Sequence, residues 1–339
     1  LVLVALWPNT PLTPGLEWVL GRLEEGLVGL AGLPGLVVIG AIAAPLAAFG
    51  VVFALIGIGR RRWRYLAVWA LVSYVIANWH SQTRVVVFDV GQGDAILVEE
   101  ANKSGTMLID TGGRLFGKVR NPPATRVIVN YLHARGIAKL DTLVLTHADA
   151  DHIGDAATFT QQMPTAKVVM TPLASTHPLV QATLTGKVAT SQTVLAGQTV
   201  TAGNIHLQVV APNSTTATEK NADSIVLYGK IGDGNWLFTG DADAHVETGE
   251  LLPQHLDVDY LKVAHHGSKT ASTPAFIQSI TPSAAFISAG VANRYGHPHQ
   301  ETLATLTTTG VPWWNTADSG MVWVDMTAQT HQIHTMLKE

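Results

Sequence analysis

The chain has 339 residues, 14% of them charged and 47% apolar, with no cysteine and a formal charge of −4. Without thiols, disulfide frameworks and thiolate metal sites are excluded, so any metal must be held by His, Asp, Glu or backbone. The acidic balance argues against a globally basic nucleic-acid binder, although a membrane region and a soluble domain do not share one average.

The apolar enrichment lies almost entirely before residue 80, which predicts a membrane region at 1–80 followed by a soluble domain at 84–339. The chain starts inside an apolar run, "LVLVALWP", and reads as the tail of a longer protein. Residues 15–33 place Leu16, Val19, Leu20, Leu23, Leu27 and Leu30 on one stripe opposite Arg22, Glu24 and Glu25. That is an amphipathic helix, lying on a membrane or packed in a channel domain. Residues 34–59 contain no charge and exceed the roughly 20 residues needed to cross a bilayer, predicting a transmembrane helix. Residues 65–79 predict a second, shorter span with tryptophans toward its ends. The arginines between the two, Arg60 to Arg64, belong in the cytoplasm by the positive-inside rule, which puts the soluble domain on the extracytoplasmic side.

From Arg84 the pattern changes to short apolar runs bounded by glycine. "RVVVFDVGQGDAILVE" and "GTMLIDTGG" predict strands, "ATRVIVNYLHARGI" a helix, "LDTLVLTH" a buried strand, "DHIGDAATFTQQM" a helix and "KVVMTP" a strand. Residues 173–203 are rich in Thr, Ala, Gly and Ser and predict loops with weak strands. Beyond them come "IHLQVVAP", a hairpin turning at "GDGN", a helix at about 243–252, the strand of "DYLKVAHHGS", a helix near 274–280, the strand "AAFISAG", a helix near 300–309 and two closing strands. Two β-rich halves, each followed by helices, predict two packed sheets with helices outside, an αββα sandwich.

Three apolar strands end in metal-competent side chains: "THADADHIGD" (146–155), Asp241 in "FTGD", and His265 with His266 in "AHHGS". Sites of α/β proteins sit at such strand ends. A calcium loop of the EF-hand type is excluded, because counting from Asp149 puts Ile153 at the fifth position and Thr160 at the twelfth. Helix capping by Asp151 accounts for one aspartate of the cluster and not for the rest. "DVGQGD" lacks the third glycine and the helix of a phosphate-binding loop, and reads as a tight turn with Asp89 and Asp94 near the site. Trp313 and Trp314 suit core packing more than stacking on nucleic-acid bases.

In order, "VFDVGQGDAILVE", "MLIDTGG", "LDTLVLTHADADHIGD", "FTGD", "LKVAHHGSKTAST" and "ISAGVANRYGHP" resemble the metallo-β-lactamase-fold domain of ComEC-type competence proteins, channel subunits of bacterial DNA uptake. The resemblance covers about 84–326 and implies the same αββα sandwich. It implies that His147 and Asp149 serve a first metal site, Asp151 and His152 a second, that Asp241 bridges them, and that His265 completes the second, with His266 the alternative. Asp110 is implied as a support of the ligand loops. Two departures stand out: Asp149 replaces the commoner histidine, and the histidine expected between His152 and Asp241 has only His177, in the low-signal loop, and His206, inside a strand, to represent it.

The cofactor so implied is one or two divalent ions, manganese or zinc before magnesium, given the mixed oxygen and imidazole ligands. Such a pair brings a bound water to a pKa of about 7 and clamps phosphodiester oxygens. Asp151 is expected to orient the water, His266 and His297 to contact phosphate or protonate the leaving group, and Ser268 and Lys269 to contact phosphate. The expectation is a DNA phosphodiesterase with DNA, the membrane and other uptake components as partners. Its rivals are a non-catalytic DNA-binding or gating domain, and a hydrolase of another phosphate ester.

Overall fold

"RVVVF" shows why the soluble part forms layers. Val85 and Val87 pack into one core while Val86 and Phe88 pack into another, because successive side chains of a strand face opposite sides of its sheet. The computed structural model describes Val68 and residues 82–113, 122–215, 221–327 and 330–337. The helices expected at 15–33, 34–59 and 65–79 lie outside the described residues, among which no helix is long and apolar enough to cross a membrane.

Fifteen strands form two sheets among the described residues. The first contains β1 (Thr83–Val87), β2 (Ile96–Glu99), β3 (Thr106–Ile109), β4 (Leu140–Val144), β5 (Thr165–Met170) and β6 (Val188–Thr193), closed on the β1 side by β14 (Val322–Met326) and β15 (His331–Thr335). The second contains β7 (Thr199–Ala202), β8 (Ile205–Ala211), β9 (Val226–Ile231), β10 (Gly234–Phe238), β11 (Tyr260–Lys262), β12 (Ala284–Ile287) and β13 (Trp313–Asn315), in chain order across the sheet. Each sheet is antiparallel on one side and parallel on the other, β3 to β6 and β10 to β13 being the parallel sets.

Parallel neighbours need crossovers. Helices α1 (Pro123–Ala134), α2 (Ala150–Ile153), α3 (Ala156–Gln162) and α4 (Pro178–Leu184) supply them for the first sheet, and α1, α3 and α4 bury Ile128, Leu132, Phe159 and Val180 against its outer face. Helices α5 (Ala244–Val246), α6 (Pro274–Ile280) and α7 (Gln300–Thr308) lie on the second sheet's side of the chain, where Phe276, Ile277 and Leu306 join its outer core. Between the sheets, Val85, Ile96 and Ile109 meet Leu227, Trp236, Phe238 and Phe286 in a third core. The αββα sandwich is therefore present.

Three details differ from the sequence reading. The closing strands, which follow the second half in sequence, pair on β1 of the first sheet, so the layers are not simple halves of the chain. The loop expected around 173–203 contains α4, whose periodicity is weak because it buries Thr183 beside Val180, and whose start is set by Pro178 and the His177 side chain accepting from Leu179 N–H. The helix expected at 243–252 is three short turns, Ala244–Val246, Glu247–Leu251 and Leu252–Gln254. Trp314 packs on the central core and stacks on Phe286, while Trp313 packs on the outer core.

Candidate metal centre

The ends of β4, β10 and β11 converge where the edges of the two sheets meet. Ile225 N–H donates to the Thr146 carbonyl, tying the second sheet to the loop after β4. His147 follows Thr146 directly, and Asp149, Asp151 and His152 follow as the chain turns into α2. Asp110, at the end of the neighbouring β3, fixes this turn. Its Oδ1 accepts from Thr146 N–H at 2.8 Å, and its Oδ2 accepts from Thr146 Oγ1–H at 2.6 Å and from His152 Nδ1–H at 2.7 Å. The dyad leaves His152 Nε2 facing the centre. Thr146 Oγ1, its proton given to Asp110, accepts in turn from His147 Nδ1–H at 3.1 Å, so His147 Nε2 also faces inward.

From the second sheet, Asp241 follows β10 and is almost fully buried at 3% exposure. Its Oδ1 lies 3.0 Å from His152 Nε2 and 3.7 Å from His266 Nε2. Its Oδ2 lies 3.8 Å from His147 Nε2 and 3.6 Å from His265 Nε2. His266 Nε2 is also 3.4 Å from Asp151 Oδ2 and 3.2 Å from His152 Nε2. His147 Nε2 stands 3.9 Å from Asp149 Oδ2.

Behind His266, Nδ1–H donates to the Ser288 carbonyl at 2.9 Å, which fixes that nitrogen as the protonated one. Asp94 Oδ1 is 3.4 Å from the same nitrogen and 2.9 Å from Lys262 Nζ, and both Asp94 and Lys262 are 1% exposed. Asp94, His152, Asp241 and His266 have ligand atoms close enough together to hold a metal ion. Of the four, Asp94 is the least suited as a ligand, because the Lys262 ammonium sits on its oxygen and it faces the back of His266. It anchors the imidazole instead. Gly93 brings this turn to the site: at φ +135° its Cα sits where a Cβ would fall 2.1 Å from the Asp151 carbonyl oxygen.

The electrostatics are those of carboxylates gathered around imidazoles. Burial alone would push the Asp241 carboxyl up, yet His152, His266 and His147 hold it well below the usual carboxylate range. Burial likewise opposes charge on His152 and His266, but Asp241 with Asp110 raises the first well above its ordinary value, and Asp241 with Asp151 and Asp94 raises the second to about 9. Burial and the neighbouring His152 lower His147. Burial, then His266, His265 and His299, push His297 down to about 4, so it is neutral near pH 7.

A cleft of about 180 Å³ opens over these groups, lined by Gln92, Asp149, Asp151, Asn221, Asp241, His265, His266, Tyr295 and His297. Among the residues singled out from sequence, His147, Asp149, Asp151, His152, Asp241, His265 and His266 come together, with Asp94 and Asp110 behind them and His297 on the cleft wall. His266, the buried member of the histidine pair, is the one that meets Asp151 and His152. Its Nδ1 donates to the Ser288 carbonyl and its Nε2 lies among the carboxylates.

Other expected residues lie elsewhere. Asp89 is exposed and its Oδ1 accepts from Gly91 N–H, holding the turn. Ser268 is buried, its hydroxyl paired with Thr270 Oγ1, and it does not line the cleft. Lys269 is exposed, its backbone N–H on His299 Nδ1. His177 caps α4 and His206 is exposed on β8, so neither supplies the histidine sought between His152 and Asp241. Sequence reasoning missed Gln92, Asn221, Tyr295 and Lys262. The last left a signal, a charged residue at the end of the apolar strand "YLK".

These residues fit a divalent cation. His147 Nε2 is a buried polar atom with no hydrogen-bond partner, an arrangement that normally has a cause. Donors about 2.0–2.2 Å from one ion stand roughly 3–4 Å from each other, the spacing found on both sides of Asp241.

A family model described as the metallo-beta-lactamase superfamily matches residues 88–183. ComE operon protein 3 of Bacillus subtilis is 35% identical over 240 residues, which cover 67% of this chain and 31% of that protein. The chain matches the ComEC-type competence proteins over its metallo-β-lactamase domain. Recombination protein 2 of Haemophilus influenzae is 31% identical over 71% of this chain and 29% of its own length. The chain thus spans about a third of the curated ComEC-type relatives it matches. Among solved structures, the metallo-β-lactamase-fold protein YhfI of Bacillus subtilis aligns with a TM-score of 0.47 and 14% identity, over 69% of this chain and 95% of that one.

Proposed function

We propose that this domain is a metal-dependent phosphodiesterase that hydrolyses DNA during its uptake through a ComEC-type membrane protein. The observation that carries the reading is the convergence of four histidines and three aspartates from both sheets beneath a cleft, centred on a buried carboxylate whose two oxygens face different imidazoles. The ComEC-type relatives supply the substrate class. His147, Asp149, Asp151, His152, Asp241, His265 and His266 would hold one or two divalent ions, manganese or zinc before magnesium. When bound, such ions would supply an activated water and charge neutralisation at the phosphate.

The chain's own residues do the rest. Asp110 and Thr146 hold His152 and His147 with their Nε2 lone pairs toward the centre. Asp151, on the cleft and 15% exposed, is placed to accept a proton from water entering there. His297 receives the Gln92 amide at Nδ1, 3.4 Å away, which puts its remaining proton on Nε2. Being neutral, it serves better as a hydrogen-bond donor to a phosphate oxygen than as an acid.

The apolar runs at 34–59 and 65–79 attach the domain to a membrane, and the Arg60–Arg64 loop orients it to the extracytoplasmic side. Protease added outside intact cells should cleave within 84–339, and protection there would reverse the orientation. The functional test is cleavage of end-labelled single- and double-stranded DNA by the purified chain with manganese, zinc or magnesium, beside Asp151→Ala and His266→Ala. Metal-dependent cleavage lost in both variants supports the reading. Stoichiometric metal binding without cleavage of any DNA moves the domain to a non-catalytic DNA-binding or gating role.

A further inference from the structure

The adjacent histidines 265 and 266 are both held in left-handed backbone, at φ +49° and +54°. That conformation costs an L-residue about 1–2 kcal/mol, and persists where the surroundings fix it for a purpose. Its effect here is to splay the two rings 74° apart, with centroids separated by 6.2 Å. His266 is turned to Asp241 Oδ1 and to His152 and Asp151. His265 is turned to Asp241 Oδ2, the oxygen that faces His147, whose Nε2 in turn neighbours Asp149.

We infer that His265 completes a first cation site with His147, Asp149 and Asp241, taking the place of the absent histidine between residues 152 and 241, while His266 completes the second with Asp151, His152 and Asp241. The inference rests on the metal-binding part of the proposed function and assigns its ligands. The other two candidates are disposed of by position, since His177 spends its ring nitrogen on a helix cap and His206 is exposed on a strand. His147 Nε2, buried without a hydrogen-bond partner, needs a group on its side of Asp241. His265 offers its Nε2 lone pair when Nδ1 carries the proton. Thr270 Oγ1, 3.3 Å from Nδ1, is the acceptor for that proton, and the Asn221 amide, whose nitrogen stands 3.2 Å from Nδ1, becomes a second acceptor when its oxygen and nitrogen are interchanged. One peptide step thus feeds both oxygens of the Asp241 carboxylate, and the strained pair is the device that makes this reachable.

The test loads the metal-stripped full chain with manganese(II), counts bound metal by elemental analysis, and reads spin coupling by electron paramagnetic resonance. The wild type should hold two coupled ions. His265→Asn, an exchange suited to left-handed backbone, should hold one ion with an uncoupled six-line spectrum, and His265→Ala should agree with it. His177→Ala and His206→Ala should keep the coupled pair. Two coupled ions retained in His265→Asn, a wild type that holds one ion, or loss of the pair in His177→Ala or His206→Ala would each overturn the assignment. Because the readout is metal count, a coupled pair in a chain that cleaves no DNA leaves the assignment standing and refutes the phosphodiesterase reading alone.

Discussion

Asp110→Asn is the sharpest probe of the centre, because it changes a proton count without changing shape. The native carboxylate is wholly buried and accepts three hydrogen bonds, from Thr146 N–H, Thr146 Oγ1–H and His152 Nδ1–H. An amide has one oxygen. If it takes the Oδ1 position, its NH2 meets His152 Nδ1, which must then become an acceptor, so the His152 proton moves to Nε2 and blocks the face aimed at Asp241. If it takes the other position, Thr146 N–H is left facing an NH2 group, at a cost of about 1–3 kcal/mol. Loss of a carboxylate partner behind a ligating histidine weakens metal binding about 10–100-fold, or roughly 1.4–2.7 kcal/mol. The backbone at φ +58° accommodates asparagine readily and alanine poorly. Calorimetric titration with manganese should therefore show Asp110→Asn losing more affinity than Asp110→Ala, whereas denaturant melts of the metal-free chain should show Asp110→Ala losing more stability. Wild-type metal affinity in a folded Asp110→Asn chain would refute the tautomer argument.

Gly93→Ala should destabilise the chain by about 2 kcal/mol or more in a urea melt, since the added methyl would sit 2.1 Å from the Asp151 carbonyl oxygen at a φ alanine avoids. Lys262→Met strands the Asp94 charge beside His266 and should cost about 3–5 kcal/mol, with part of the loss recovered when Asp94→Asn is added. Glu247 accepts from the N–H groups of Ser272 and Thr273, yet burial pushes its carboxyl from 4.5 up to about 7. A raised folded-state value means the contribution is present in full below about pH 4.5 and is lost as pH rises toward 7, because the unfolded chain releases the proton there while the folded chain still holds it, worth about 3 kcal/mol over that window. Metal-free melts of the wild type should show this falling contribution between those pH values, and Glu247→Gln should lack it; equal slopes in the two chains would remove Glu247 as its source. Adding manganese at about 100 times its dissociation constant should raise stability by about 2.7 kcal/mol, reversibly on chelation, and an unmoved melting curve would count against a folded-state metal site.

What the sequence revealed of this site, and what it concealed, follows from the range of the forces involved. The residues that gather beneath the cleft were legible because they follow the ends of apolar strands, and a strand's end is written locally in "LVLTH", "LFTGD" and "KVAHH". The layers were legible for the same reason, since alternation such as Val85, Val86, Val87 and Phe88 decides which core each side chain enters. By contrast, α4 carried no such signature, because a helix that buries threonine beside valine has little apolar period to read. The division of labour between His265 and His266 was hidden too, because it depends on two consecutive positive φ angles and on where Asp241 stands. Sequence position favoured His265 as the residue nearer the strand, but the backbone turns left-handed there and carries the later histidine deeper, to 1% exposure against 24% for the His265 side chain. The Asp94–Lys262 pair was half legible: Asp94 stood out in a turn near the site while Lys262 was missed, and only the meeting of the two sheets shows that each neutralises the other behind His266. The chemistry thus resides in short strand ends that local pattern exposes, while its precision resides in contacts between the sheets that no local pattern records.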